Sequence, residues 1–173
     1  MSLFLITGLP GSGKSTACAE LKARGYKAYD GDYDRLAKWY NDATGRPIEE
    51  RTYHKRTPKF LQTHSRDISR EAAEDLAAKA KHKTIFLCAD PENEDELVPL
   101  FAKVFALVLD EDTRQHRLAT RVNNQWGKLP HEVAYDLAVK PKAFNRYKKF
   151  GYDVIDAAQP TGAIVDYIEA RTG

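Results

Sequence analysis

Leu3-Phe4-Leu5-Ile6-Thr7 runs directly into Gly8-Leu9-Pro10-Gly11-Ser12-Gly13-Lys14-Ser15. The first five residues form a short, nearly continuous apolar run, the pattern of a strand buried on both faces. The next eight match G-x-x-x-x-G-K-[ST]. A helical stretch follows from about Lys14 to Arg24, with Ala17, Cys18 and Leu21 on one apolar face and Gly25 as its stop. A strand before and a helix after are the context this motif requires. Glycine-rich backbone can curl its N–H groups around phosphate oxygens, and the helix N-terminus adds unpaired donors and a favourable dipole. Gly8, Pro10, Gly11, Ser12 and Gly13 are therefore candidate phosphate-binding positions. Lys14 supplies a positive charge to the β- and γ-phosphates, and the Ser15 hydroxyl suits Mg²⁺. Thr16 reads either as a contact to the α-phosphate or as an ordinary first-turn residue.

Outward from this stretch, short apolar runs alternate with helical patterns. Strands are expected at Tyr26–Tyr29, Thr84–Cys88, Val104–Leu109 and Tyr152–Ile155. Helices are expected at Tyr33–Asn41, Ser69–Lys81, Asn93–Phe101, Asp112–Val122, from Pro130 to Leu137, at Pro141–Phe150 and at Gly162–Arg171. The stretch Ile48–His64 has no clear period. Such alternation predicts an α/β fold with a parallel sheet covered by helices on both faces, and ligands bound beyond the carboxyl ends of the strands.

Composition narrows the function. The 173 residues are 42% hydrophobic and 30% charged, which suits one globular domain over 1–173. Lys plus Arg total 27 against 25 Asp plus Glu, a balance that argues against a nucleic-acid coat or a polybasic membrane anchor. No apolar run approaches the roughly 20 residues of a membrane span. A signal peptide is not expected, and the two cysteines, Cys18 and Cys88, have no metal-type spacing, so a reducing cytoplasmic setting fits.

Further candidates sit after the later strands. Asp30-Gly31-Asp32 ends the second strand on the rim of the cradle. A hydroxyl acceptor needs a carboxylate to take or orient its proton, and a second carboxylate can hold water on Mg²⁺. Asp90, before Pro91, reads either as a carboxylate for Mg²⁺ or as a turn aspartate. Arg114, Arg117 and Arg121 are spaced i, i+3, i+7 on one helix face; Arg117 and Arg121 suit ring stacking and phosphate binding, and Arg114 is left as a solvated surface residue. The basic stretch from Arg46 to Arg66, which includes Arg51, Lys55 and His54, suits an anionic acceptor. Arg66 and Arg70, at i, i+4, are its named candidates. Polar Asn123–Lys128 with Gly127 suits a closing loop, Lys128 being placed to reach a transferred phosphoryl group. Trp126 either packs on the acceptor or anchors the loop.

The cradle together with Asp30-Gly31-Asp32 resembles the small P-loop kinases, among them the adenylate, shikimate and gluconate kinases. That resemblance implies a five-stranded parallel sheet of order 2-3-1-4-5, an acceptor-binding segment at about 33–70 and a small helical lid at about 117–135. It further implies Mg·ATP in the cradle, Asp32 facing the acceptor hydroxyl and Asp30 in the water shell of Mg²⁺. Arg117-Leu118-Ala119-Thr120-Arg121 resembles the R-x-x-x-R that opens the lid of nucleotide kinases, with Arg117 against adenine and Arg121 toward the phosphates. Ile155 to Pro160 resembles the loop that supports adenine, through Ala157 and Gln159, or else it is a plain strand-to-helix turn. Cys88-Ala89-Asp90 stands where shikimate kinases carry glycines, which argues against shikimate. The expectation is an ATP-dependent small-molecule kinase, monomeric or a small homo-oligomer. Lys14, Arg121 and Mg²⁺ would offset the charge of the transferring group. The alternatives are an ATPase or nucleotide-binding regulator acting on a partner, and a polynucleotide 5′-end kinase.

Overall fold

The structure is a computed structural model that describes residues 1–49 and 56–173. The strands are β1 (Leu3–Thr7), β2 (Lys27–Asp30), β3 (Ala37–Asn41), β4 (His64–Ile68), β5 (Ile85–Cys88), β6 (Lys103–Val108) and β7 (Asp153–Asp156). The helices are α1 (Lys14–Ala23), α2 (Pro58–Leu61), α3 (Arg70–Ala80), α4 (Glu94–Leu97), α5 (Glu111–Thr120), α6 (Pro130–Lys149) and α7 (Thr161–Glu169). Five strands form a parallel sheet in the order β2-β5-β1-β6-β7. Counted along the chain, these are strands 2-3-1-4-5, the expected order. β3 and β4 form a separate antiparallel pair.

Residue parity explains the layers, because successive strand side chains point to opposite faces. Leu3, Leu5, Ile85, Leu87, Val104 and Ala106 face Ala73 and Leu76 of α3 and Ala143 and Tyr147 of α6. Phe4, Ile6, Phe86, Phe105 and Leu107 face Ala17 and Leu21 of α1 and Ile164 and Val165 of α7. Every residue of β1 is buried, which is why its sequence reads as an apolar run rather than an alternation.

Three elements differ from the sequence expectation. Residues 33–41 are not a helix. The Gly31 carbonyl takes the N–H groups of Leu36 and Ala37, so the chain turns before β3 begins. β3 then alternates buried Ala37 and Trp39 with exposed Lys38, the period of a strand. The unplaced region holds the short α2, which Thr57 caps by accepting the Phe60 N–H, and ends where β4, the partner of β3, begins. The two helices expected at Pro130–Leu137 and Pro141–Phe150 are one. Pro141 lies inside α6 at an exposed position, where solvent can satisfy the carbonyl its missing N–H frees. The expected Asn93–Phe101 helix is cut to α4 and a short 3₁₀ turn, Val98–Leu100, that contains Pro99.

A buried polar link fixes the end of β1. Thr7 Oγ1 donates to Glu94 Oε2 at 2.6 Å, and the Arg146 guanidinium lies 3.8 Å from Oε1 of the same carboxyl. Burial pushes the Glu94 pKa from 4.5 to about 7, against the pull of Thr7 and Arg146. The folded state therefore keeps a proton through a window in which the unfolded chain has lost it. Stability from this group falls as pH rises from about 4.5 to 7. Glu94→Gln is expected to remove that loss. Urea denaturation at pH 5 and pH 8 should show the variant gaining on the parent by up to about 3 kcal/mol across the interval. Asp67 and Asp136, each raised to about 6 mainly by burial, leave a residual slope of the same sign in both proteins.

Candidate active site

The residues at the carboxyl ends of β1, β2 and β5 converge on one cavity of about 870 Å³. Its floor is the turn between β1 and α1. Gly8 has φ +148, and a Cβ there would stand 2.5 Å from the Leu107 carbonyl oxygen of β6. Gly13, at φ +102, occupies the N-cap of α1, so the first N–H groups of the helix open toward the cavity. Lys14 Nζ folds back on the turn, donating to the Gly8 carbonyl and, at 3.3 Å, to that of Leu9. Asp90 Oδ2 lies 3.8 Å from the same ammonium. Burial raises the Asp90 pKa and Lys14 opposes the rise. Ser15 and Thr16, both exposed, line the cavity, as do Pro10, Gly11, Ser12 and Gly13.

Asp30 and Asp32 both line the cavity but have different tasks. Asp30 is buried, and its Oδ1 accepts the N–H groups of Asp32 at 3.0 Å and Tyr33 at 3.1 Å, which locks the turn. Gly31 allows this turn to press on β5, since a Cβ there would sit 2.7 Å from that of Ala89. Asp32 projects outward and takes Arg66 Nη2 at 2.8 Å. The Arg66 guanidinium also lies over the Trp39 ring, 5.8 Å from its centroid. Glu92 holds this side together: its Oε1 accepts the Arg66 N–H at 3.0 Å and the Tyr135 hydroxyl at 2.7 Å. An aromatic wall continues from Trp39 to Trp126, 6.3 Å between centroids, with Arg56 5.0 Å over Trp126.

The arginine helix is α5. Arg117 reaches Ala157, donating to its carbonyl at 3.4 Å, and both line the cavity beside Gln159. Arg121 also lines it and donates to the Trp126 carbonyl at 2.9 Å. Arg114 is not the solvated residue the helix pattern suggested. It is 2% exposed, bound to the Pro10 carbonyl at 3.0 Å, to Glu111 at 2.8 Å and to Asp136 at 3.4 Å. α5 packs its first turns against the cradle, so the innermost of the three arginines must pair with carboxylates.

Gly8 belongs to the floor turn but does not itself line the cavity, and two further candidates lie away from it. Arg70 is exposed and pairs with Glu74 at 2.8 Å. The i, i+4 spacing to Arg66 carries no meaning, because Arg66 lies on β4 and Arg70 opens α3 behind the Ser69 cap. Lys128 is exposed and outside the lining, since the chain turns at Gly127, φ +82, whose N–H is held by Glu132 at 2.9 Å. Arg51, His54 and Lys55 lie outside the described residues. Trp39, Glu92, Tyr135 and Asp136 were not singled out from the sequence. Trp39 lay hidden in a misassigned helix, whereas Glu92 and Asp136 carried no local pattern. Among the described residues no group of three or more His, Cys, Asp or Glu could hold a metal ion, and no helix is long and apolar enough to cross a membrane.

This architecture is shared with solved small-molecule kinases. A sugar kinase from Janibacter sp. HTCC2649 superposes with a TM-score of 0.55 at 19% identity, covering 98% of this chain and 93% of that one. A deoxyadenosine kinase from M. mycoides with bound dATP gives 0.55 at 17% identity and 98% of each chain. A shikimate kinase from Aquifex aeolicus gives 0.57 at 15% identity, covering 98% and 94%. No curated protein matches the sequence. At these identities the likeness concerns the fold, which is that of the P-loop kinases. The family profile described as AAA domain matches residues 5–134, the span from β1 to the start of α6 that builds most of this cavity. The chain belongs to that family of P-loop proteins.

Proposed function

We propose that the protein transfers the γ-phosphoryl group of Mg·ATP to a hydroxyl or phosphate of a small acceptor. The observation that carries this reading is that Lys14, Asp90, the Asp32–Arg66 pair, Arg121 and the Trp39–Trp126 wall all line one cavity. Its volume of about 870 Å³ lies toward the upper end of the range for small-molecule sites, about 300 to 1,000 Å³.

In this reading Gly8 to Ser15 and Thr16 hold the triphosphate, and Arg117, Ala157 and Gln159 hold the base. The contact of Arg117 with the Ala157 carbonyl supports a shared base-binding surface. Phosphate would draw Lys14 away from the two carbonyls it now contacts. Ser15, Asp30 and Asp90 fit a cation that arrives on the phosphates: one free hydroxyl, one partly used carboxylate and one carboxylate beside Lys14 make a sparse donor set, as Mg²⁺ that keeps several waters requires. When bound, Mg²⁺ would offset charge on the phosphate oxygens.

The segment at about 33–70 and the segment at about 117–135 would flank the acceptor as binding region and lid. Asp32 is placed to accept the proton of an attacking hydroxyl, and Arg66 orients it. Arg121, whose other edge is tied to Trp126, would face the transferring group and exclude water as the lid settles. An acceptor lying against Trp39 and Trp126 would gain apolar contact, while Arg56 and Arg66 would meet its anionic or hydroxyl groups.

ADP release from Mg·ATP, alone and with nucleoside monophosphates, nucleosides, sugar acids and short oligonucleotides, tests the reading. Stimulation by one small acceptor is expected; a flat response with ATP bound would favour a partner-coupled ATPase. Lys14→Ala should cut transfer by at least 10³-fold, about 4 kcal/mol of transition-state stabilisation, with an unchanged melting curve. Asp32→Asn should lower transfer to the acceptor by about 10²- to 10⁴-fold, the range of a general base, with ATP affinity within a fewfold of the parent. Equal transfer by that variant would remove Asp32 from the role of base.

A further inference from the structure

Two contacts join the cradle to the loop that carries Trp126, and both pass through α5. The first is polar. Arg114 Nη1 donates to the Pro10 carbonyl at 3.0 Å and to Asp136 Oδ2 at 3.4 Å. The other oxygen of Asp136 accepts the Trp126 indole N–H at 3.0 Å. The second is apolar. Leu118 is fully buried against two glycines: a Cβ would stand 3.1 Å from it at Gly11 in the cradle and 3.1 Å at Gly127 in the loop. Both glycines hold positive φ, +88 and +82, so neither position tolerates a side chain easily.

Arg114 and Asp136 are both 2% exposed along their side chains. A buried ion pair is poor evidence for stability, because apolar residues of the same size often serve as well; its better-attested use is to fix one arrangement. Here the arrangement spans the cavity. Glu111 clamps the far edge of the guanidinium at 2.8 Å and is itself held by Lys140 at 2.7 Å. Glu111 thus holds one edge of Arg114, and Nη1 is shared between the Pro10 carbonyl and Asp136.

We propose that Arg114 and Asp136 are positioning residues that couple nucleotide occupancy of the cradle to the placement of Trp126 in the acceptor half of the cavity. The proposal rests on the reading of Gly8 to Ser15 as a nucleotide site. The difference between the two states is local. Without phosphate, Lys14 holds the carbonyls of Gly8 and Leu9. With phosphate bound, the ammonium turns to the ligand and the Leu9–Pro10 turn is released. The Pro10 carbonyl is a direct partner of Arg114, so its reorientation shifts the guanidinium, then Asp136, then the indole. A change of this kind needs a differential contact in each state, and Lys14 supplies it.

The chain has two tryptophans, so protein labelled with 5-fluorotryptophan gives two ¹⁹F resonances, assigned by Trp126→Phe. Titration with Mg·ADP is expected to move the Trp126 resonance in the parent. In Asp136→Asn the amide oxygen can still take the indole N–H, and Glu111 still matches Arg114, so the fold is retained; a melting curve checks this. That variant should bind Mg·ADP within about threefold of the parent by calorimetry yet show less than half of the Trp126 shift. Arg114→Lys, which keeps the charge but loses the fork that spans both partners, should behave alike and serves if the first variant is unstable. An undiminished Trp126 shift in the variants would overturn the coupling. So would Mg·ADP binding to the parent with Trp126 unmoved, and that result would leave the kinase reading standing. Failure of the parent to bind Mg·ADP would instead overturn the nucleotide site, and the proposal with it.

Discussion

The close approach of Gly8 to β6 is the constraint on which the site depends. No side chain fits between its α-carbon and the Leu107 carbonyl, and the φ of +148 is one that other residues rarely adopt. Because the chain can turn there, β1 ends in the middle of the sheet and α1 starts immediately beyond, with its unpaired N–H groups facing the cavity. β1 is also the central strand, paired with β5 on one side and β6 on the other. The residues after those strands, Asp90 and Asp110, are thereby carried to the same rim. Asp110 is spent on capping α5, accepting the Thr113 N–H at 2.8 Å, while Asp90 is left to face Lys14.

The half of the cavity around Trp39 and Trp126 is built by a different principle. Its side chains come from four separated segments and are held by cross-links rather than by one motif. Glu92 ties β4 to α6, Asn93 adds two hydrogen bonds to the Ile68 backbone, and Asp32 ties the turn after β2 to Arg66. Glu132 binds Arg56 with one oxygen and the Gly127 N–H with the other. Such a frame can bring rings and charges together without a continuous core beneath them. The cost is a set of buried acids. Glu94 is raised to about 7 and Asp136 to about 6, each mainly by burial, and each is balanced by an arginine from another element.

Those arginines show how context overrides pattern. Arg114 and Arg117 lie on α5 and Arg121 follows its last residue with extended backbone, and the three meet different surroundings. Arg114 is enclosed by carboxylates, Arg117 stands at the cavity beside Ala157, and Arg121 is half-buried against the loop carbonyl of Trp126. A basic helix face is usually solvated; here it forms the seam between cradle and loop.

Most of the frame was legible in the sequence. Continuous apolar runs give buried parallel strands, and the glycine-rich turn between the first run and a helix gives the cradle, because both signals are local. Lys14, Ser15, Asp30, Asp32, Arg117 and Arg121 reach the cavity for the same reason: each sits at a fixed offset from the end of a strand or helix. The tertiary structure alone decided the rest. It made residues 37–41 a strand, because β4, over twenty residues away, supplies the hydrogen bonds. It joined α6 across Pro141, turned Arg70 and Lys128 away, and set Arg114 against Pro10 and Asp136. These outcomes depend on partners distant in sequence, and a side chain's charge or periodicity does not encode which distant carbonyl or carboxylate the fold will bring against it.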